Sequence, residues 1–114
     1  MQKNPNKKYR VASSISRNIS DIILFELKNP LMKLVSVNYV DVSGDDSLAK
    51  VYVTHLEKHK SNEAVETLNR LKGVIRSSLA KKLDIYRTPE LVFILDDTYD
   101  KGAHIEELLK NINK

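Results

Sequence analysis

The chain of 114 residues is 41% hydrophobic and 30% charged, which is the composition of a single soluble domain with a core of its own and excludes a disordered chain. It contains no cysteine, which excludes disulfides, thiolate catalysis and cysteine-bound zinc. The net charge of +4 favours a polyanionic partner where the cations share one face. No apolar run approaches the roughly 20 residues of a membrane span, and no secretory leader is apparent, so we expect a cytoplasmic protein.

The first elements along the chain are a polar segment and an amphipathic helix. Residues 1–9 contain three lysines and no periodic apolar pattern, which predicts a flexible basic N-terminal arm. Residues 10–114 are expected to form the single domain. From Arg10 to Lys28, apolar residues recur at helical spacing. Asn29-Pro30 predicts the end of this helix, because proline pushes the preceding residue out of the α region.

Two strands joined by a turn are predicted next. Leu34–Val42 and Leu48–Thr54 are rich in β-branched residues, and Ser43-Gly44-Asp45-Asp46 lies between them, as in a strand-turn-strand unit. In the first strand the alternation of apolar residues changes phase, which predicts a β-bulge near Asn38. The period of two places three residues of the second strand on the core face: Ala49, Val51 and Val53.

A helical pattern interrupted in its middle follows these strands. Ser61 or Asn62 is expected to cap its N-terminus, and the apolar stripe continues beyond Gly73. A kink or a helix-turn-helix break is therefore predicted at Leu71, Lys72 and Gly73. The alternative is a continuous helix that tolerates glycine at a cost of about 1 kcal/mol relative to alanine.

The last predicted elements are a short strand and a C-terminal helix. Leu91–Leu95 is uniformly apolar, which indicates a buried strand, either central or parallel to its neighbour. The order α-β-β-α-kink-α-β-α predicts an α+β fold in which helices cover one face of a three-stranded sheet. Four apolar residues at helical spacing define the last helix: Ile105, Leu108, Leu109 and Ile112.

No pattern typical of catalysis or of metal binding is present. The three glycines are dispersed, whereas a phosphate-binding loop needs several together. His55 and His59 lack the order of a helical zinc motif, so we interpret them as solvated loop residues. Asp45-Asp46 and Asp96-Asp97 favour turns and helix caps over cation binding or acid-base catalysis. We predict a protein that is not an enzyme and uses no metal, cofactor or small-molecule substrate.

Positive charge is concentrated in two segments. Five cations and no acid precede Asp21, residues 70–87 contain six cations against Asp84 alone, and residues 90–107 are acidic. A basic face attracts phosphates and releases counterions, which makes RNA a candidate partner. An ordinary solvated face is an equally weighted alternative. The candidate RNA-binding residues are Lys7, Lys8, Arg10, Lys72, Arg76, Lys81, Lys82 and Arg87.

Aromatic residues suited to base stacking are sparse. Tyr86, beside Arg87, is the candidate for stacking on a base, with partial burial of its ring as the alternative. Phe25 and Phe93 are expected in the core.

Six fragments along the chain form an ordered set: Arg10-Val11, Asn29-Pro30, Val40-Asp41-Val42-Ser43, Ala49-Lys50-Val51-Tyr52-Val53, Gly73-Val74-Ile75-Arg76 and Thr88-Pro89-Glu90-Leu91-Val92-Phe93. With this set the chain resembles the ribosome-binding factor A family over roughly residues 8–110. The resemblance implies a type II KH-like fold. One departure is Leu71-Lys72-Gly73, where the family usually has Ala-x-Gly. The Gly-x-x-Gly loop with which other KH domains clamp RNA is missing here, as it is in the family.

The resemblance also implies a function and partners. It implies binding to the small (30S) ribosomal subunit, contact with 16S rRNA near its 5′ end and the decoding-side neck, and a role in late maturation, rRNA processing and cold adaptation. By analogy, a monomer would stabilise one rRNA conformation and leave the mature subunit. One alternative is a protein-interaction module that binds a basic ribosomal protein through its acidic C-terminal region. Another is a nuclease or RNA-modifying enzyme, which would need a metal or cofactor site.

Overall fold

A computed structural model describes the backbone of residues 5–83 and 87–97 and the side chains of residues 10–83 and 87–97. Residues 1–4, Tyr86 and the predicted C-terminal helix with its acidic residues lie outside these ranges. In the described part, no helix is long and apolar enough to cross a membrane.

The described elements follow the predicted order. Helix α1 begins at Pro5, a residue that suits the first turn of a helix, and therefore includes Lys7 and Lys8, which the sequence had assigned to a flexible arm. The elements are α1 (Pro5–Asp21), a π-helical turn (Ile22–Glu26), a 3-10 turn (Pro30–Leu34), β1 (Val35–Val42), β2 (Leu48–His55), a 3-10 turn (Lys58–Lys60), α2 (Ser61–Arg70), α3 (Lys72–Lys82) and β3 (Glu90–Leu95).

The three strands form one mixed sheet in the order β1-β2-β3. Strands β1 and β2 are antiparallel, and β2 and β3 are parallel. The prediction of a parallel third strand is confirmed, but β3 lies at an edge and β2 is the central strand. The register shifts between Val37 and Tyr39, which confirms the predicted bulge at Asn38. The extra residue turns Tyr39 to the open face of the sheet, where its ring stacks on Tyr52 at 4.7 Å between centroids.

The helices cover the other face of the sheet, as predicted. Helix α1 packs on β1, and α2 and α3 pack on β3. Lys50 is exposed on the open face. Predicted core residues Ala49, Val51 and Val53 are all fully buried, which confirms the face predicted from their spacing. They pack with apolar residues of the helices and of β3, mainly Ile15, Ile19, Ile22, Ala64, Leu68, Ile75, Leu79, Leu91 and Phe93.

Side chains from α2 and α3 close the free edge of β3. The side-chain amide of Asn69 donates to the carbonyl of Phe93 and accepts from its N–H, both at 2.8 Å, so it satisfies the backbone much as a neighbouring strand would. Arg76 donates to the carbonyls of Thr88 (2.7 Å) and Pro89 (3.1 Å) just before the strand. An uncovered edge strand would offer these groups to another chain.

Candidate nucleic-acid interface

The junction of α2 and α3 is a one-residue break at Leu71. Its backbone has φ −98° and ψ 8°, and its N–H is shared between the carbonyls of Thr67 (3.0 Å) and Leu68 (3.1 Å). Its carbonyl accepts from the N–H of Ile75 at 3.0 Å, so α3 starts directly after Leu71. The predicted break is confirmed, with Lys72 and Gly73 already inside α3.

The break between α2 and α3 does not depend on Gly73. No glycine among the described residues has a positive φ, and a Cβ added at Gly73 would meet nothing within 4 Å. The prediction of a capping side chain at the start of α2 is wrong: Lys60 stands at the N-cap position, and no side chain caps the helix there. Ser61 instead accepts a hydrogen bond from the N–H of His55 at 3.4 Å.

Helix α3 presents a buried side to the sheet and a basic side to solvent. Ile75 and Leu79 are fully buried. All four predicted cations of α3 are exposed, as is Arg87 in the loop before β3. The structure therefore brings these candidate residues to one helix and the loop beside it, whereas Arg10 lies separately on α1. The side chains of Lys7 and Lys8 lie outside the described residues.

Two of the cations on α3 are held by other parts of the protein. Arg76 uses its donors on the β3 edge, and the ammonium of Lys82 lies 2.8 Å from the carboxylate of Glu26. Ser78 donates to the same carboxylate at 2.9 Å, and these hydrogen bonds, from Lys82 first and Ser78 second, lower the pKa of Glu26. At ~100° per residue, Arg76 and Lys82 are ~120° apart around the helix. They therefore fasten opposite flanks of α3 to the fold.

The remaining candidates on α3 and its neighbouring loop are available to a partner. Within the described ranges, the side chains of Lys72, Lys81 and Arg87 make no hydrogen bond or ion pair. The charge of Lys81 nevertheless contributes to the lowered pKa of Glu26. A lysine on a rigid helix can serve as a point charge for a phosphate, and arginine can donate two hydrogen bonds to one. The sequence could not separate these three residues from Arg76 and Lys82, because the partners of the latter are distant in the chain.

One aromatic residue is not where the sequence predicted it. Phe93 is buried as expected, but Phe25 is 70% exposed. It lies in the π-helical turn directly before Glu26, the residue that contacts α3. Phe25 therefore belongs to a turn that is held to the last turns of α3, where Lys81 and Lys82 lie. Phenylalanine is usually buried, so the sequence alone favoured a core position. The exposure of Phe25 can be seen only once the backbone of the π-helical turn is known.

The histidine prediction is partly wrong. His59 is exposed, but His55 is 4% exposed. Its Nε2 donates to the carbonyl of Leu31 and its Nδ1 accepts from the N–H of Glu57, both at 2.9 Å. His55 thus ties β2 to two loops as a structural residue. Among the residues that the structure describes, no group of three histidine or acidic side chains could hold a metal ion.

The prediction of a turn at Asp45-Asp46 is confirmed. The carboxylate of Asp45 accepts hydrogen bonds from the hydroxyl of Ser47 (2.7 Å), the hydroxyl of Ser43 (2.9 Å) and the N–H of Ser47 (3.1 Å). These bonds lower the pKa of Asp45 to about 2. Asp46 has φ 61°, the left-handed conformation that aspartate tolerates in turns. Asp45 and Asp46 therefore form the turn of the β1–β2 hairpin.

A pocket of about 660 Å³ lies at the end of the sheet, away from α3, and Leu34, Leu56 and Asp96 are among its lining residues. Its histidine, His55, has both ring nitrogens engaged. In the part of the chain that the structure describes, the pocket therefore has no free imidazole base.

The order α-β-β-α-α-β, the mixed sheet with helices on one face and the exposed cations of the third helix together define a type II KH-like domain with a basic helical surface. Comparison with known proteins supports this assignment of the fold. The sequence profile described as Ribosome-binding factor A matches residues 7–109. The chain therefore belongs to the ribosome-binding factor A family.

Individual relatives cover nearly all of the chain. Ribosome-binding factor A of Limosilactobacillus fermentum is 38% identical over 96% of each sequence. The crystal structure of ribosome-binding factor A from Thermus thermophilus superposes with a TM-score of 0.70 at 26% identity, covering 77% of this chain and 94% of that one. A Thermus thermophilus ribosome binding factor A fitted into the cryo-EM map of a 30S complex has a TM-score of 0.60 at 22% identity, covering 83% and 97%. These superpositions confirm the fold.

Proposed function

We propose that this protein is a ribosome maturation factor that binds the small ribosomal subunit through 16S rRNA during late assembly. It acts in the cytoplasm as a monomer, supports rRNA processing and growth in the cold, and performs no bond chemistry. Membership of the ribosome-binding factor A family supports this proposal. The structural observation that carries it is a set of exposed cations on α3 and the loop before β3 whose side chains make no hydrogen bond or ion pair with other described residues: Lys72, Lys81 and Arg87.

The junction of the two helices favours contact through side chains. A Gly-x-x-Gly loop lets the RNA backbone approach the protein backbone, but here Leu71 alone separates α2 from α3. Phosphates therefore meet lysine side chains held on a helix, and Arg76 and Lys82 keep that helix fixed to the sheet and to the π-helical turn. Rigid placement of the charges lowers the entropy lost on binding.

Binding of this kind acts on the conformation of the rRNA. A protein that contacts one rRNA arrangement better than others shifts the population towards it by its differential affinity. Maturation that removes this arrangement would release the factor. Most of the free energy would come from phosphate contacts and counterion release, so the affinity should fall steeply with salt concentration.

The test is a charge reversal that spares the fold. We expect the Lys72→Glu/Lys81→Glu double variant to bind 16S rRNA and 30S subunits at least about tenfold more weakly, with a salt slope reduced by about one for each lysine. Arg76 and Lys82 are left unchanged, because reversing them would break contacts within the protein. Titrations at several salt concentrations measure both quantities.

A second double variant makes the same change of charge elsewhere. Lys33 and Lys50 are exposed but lie in the 3-10 turn before β1 and on the open face of the sheet. We expect Lys33→Glu/Lys50→Glu to retain affinity within about threefold of the wild type, because long-range charge alone is screened within about 10 Å. Equal losses in the two double variants, or wild-type binding by the α3 variant, would refute α3 as the interface.

A further inference from the structure

The exposure of Phe25 follows from the backbone of the π-helical turn. The N–H of Leu27 bonds to the carbonyl of Ile22 at 3.1 Å, one residue farther back than in an α-helix. In a continuous α-helix, Glu26 would follow Ile22 at i+4 and fall on the core side of α1. The extra residue instead brings Leu27 against the core and turns Phe25 to solvent. Turns of this kind occur frequently at functional sites.

The π-helical turn that carries Phe25 is also held to α3. Glu26, the next residue, is held by Lys82 and Ser78 in the last turns of α3. Lys81 is exposed on the same part of the helix, and Lys28 is exposed where the turn ends. The segment that carries the exposed ring is therefore held at the part of α3 that carries Lys81, whose charge reaches Glu26 and helps to lower the pKa of its carboxyl. Aromatic rings flanked by cations are how proteins hold single-stranded nucleic acids, because the ring stacks on a base while the cations follow the backbone.

A pair of tyrosines on the open face of the sheet is the alternative aromatic contact for RNA. Tyr39 and Tyr52 stack on the open face of the sheet, where Lys50 is the one cation among the described residues. The outward-facing acids of that face are Asp41, Glu90 and Asp96. Such a face repels phosphates, so charge favours Phe25 over the tyrosine pair as a contact for RNA.

We propose that Phe25 stacks on an unpaired base of 16S rRNA while Lys81 and Lys28 hold the neighbouring phosphates. The ion pair between Glu26 and Lys82 holds the turn that carries the ring to the last turn of α3. This inference rests on the proposed function and adds to it a single-stranded segment of rRNA at a defined place on the protein. Phosphate contacts alone give no preference for unpaired bases, whereas stacking on an exposed ring does.

A tryptophan at this position reports directly on stacking. The chain contains no tryptophan, so the emission of a Phe25→Trp variant comes from this position alone. We expect 16S rRNA to quench it and heparin, a polyanion without bases, to leave it unchanged. The control is Tyr39→Trp on the opposite face, whose emission should respond to neither. Equal responses to heparin and RNA, or no response to bound RNA, would overturn the stacking contact.

Affinity measurements give an independent test. Base stacking is worth about 1–3 kcal/mol by alanine substitution, so Phe25→Ala should weaken binding to 16S rRNA about 5- to 150-fold. Its salt slope should be unchanged, because the ring is uncharged. Phe25→Tyr should bind as the wild type and Phe25→Leu as the alanine variant. Since the ring is exposed, the thermal unfolding midpoint should stay near that of the wild type.

The outcomes separate the two proposals. If the wild type fails to bind both 16S rRNA and 30S subunits, the proposed function is wrong. If the wild type binds rRNA and Phe25→Ala binds equally well, this inference alone is wrong. If Phe25→Leu restores full affinity, or if the loss appears with 30S subunits and is absent with free rRNA, the ring contacts a ribosomal protein and the stacking contact is refuted.

Discussion

The amide of Asn69 should be one of the most important polar groups for the stability of this fold. It makes two hydrogen bonds of 2.8 Å with the backbone of Phe93, whose side chain is 2% exposed in the core. In Asn69→Ala, the N–H and the carbonyl of Phe93 both lose their partner at the free edge of β3. No other side chain among the described residues makes these bonds.

The expected loss of stability in Asn69→Ala follows from these two hydrogen bonds. A hydrogen bond contributes about 1 kcal/mol net, and an orphaned partner costs about 1–3 kcal/mol where water cannot replace it. Because the edge is partly open to solvent, we expect the free energy of unfolding to fall by about 2–3 kcal/mol. With a urea m-value of about 1–3 kcal/mol per M for a small domain, the unfolding midpoint should fall by about 1 M.

Urea unfolding followed by circular dichroism measures this change. Asn62→Ala is the matched control, because Asn62 is exposed on the same helix and its removal should alter stability by no more than about 0.5 kcal/mol. If Asn69→Ala changed the free energy of unfolding as little as Asn62→Ala, the edge bonds would contribute nothing, and the account of how α2 protects β3 would be wrong.

Three further substitutions test other parts of the structure. Gly73→Ala should stabilise the fold by about 0.5–1 kcal/mol in urea unfolding, because the position is helical and open; a loss would show that the α2–α3 junction needs glycine. His55→Ala should lower the free energy of unfolding by about 2–4 kcal/mol by removing a buried ring with two hydrogen bonds, whereas exposed His59→Ala should have little effect. The pKa of Asp45 is lowered from 3.8 to about 2. The ionised carboxylate therefore stabilises the hairpin fully above pH 3.8, and this contribution is lost as the pH falls through about 2. A carboxyl titration by NMR with its midpoint near 3.8 would contradict these hydrogen bonds.

Local sequence patterns determined most of the secondary structure. A change of phase in the alternation of β1 predicted the bulge at Asn38, and an apolar stripe running through residues 71–73 predicted two helices that share a core-facing side. Both features can be predicted because they depend on residues a few positions apart, whose side chains must reach the same core. The same patterns placed Val51 and its neighbours correctly on the core face of β2.

The sequence predicted which cations belong to the candidate interface. It did not predict which of them are engaged in contacts within the protein. Composition identified the basic residues of α3, and the described ones are exposed. Which of them are engaged within the protein depends on partners that only the folded chain brings near, such as the carbonyl of Thr88 for Arg76 and the carboxylate of Glu26 for Lys82. The sequence therefore predicted the kind of partner, while the structure separated Lys72 and Lys81 from the cations that hold the fold together.

Tertiary structure alone decided the position of β3 at the sheet edge and the exposure of Phe25. The apolar run of β3 is compatible with either position, and the edge is possible because α2 supplies Asn69 to cover it. At the end of α1, both Glu26 and Leu27 lie close to the core-facing stripe. The π-helical turn packs the partly buried leucine against the core, since α3 offers Ser78 and Lys82 as partners for the carboxylate. Periodicity within one helix contains no information about such a partner.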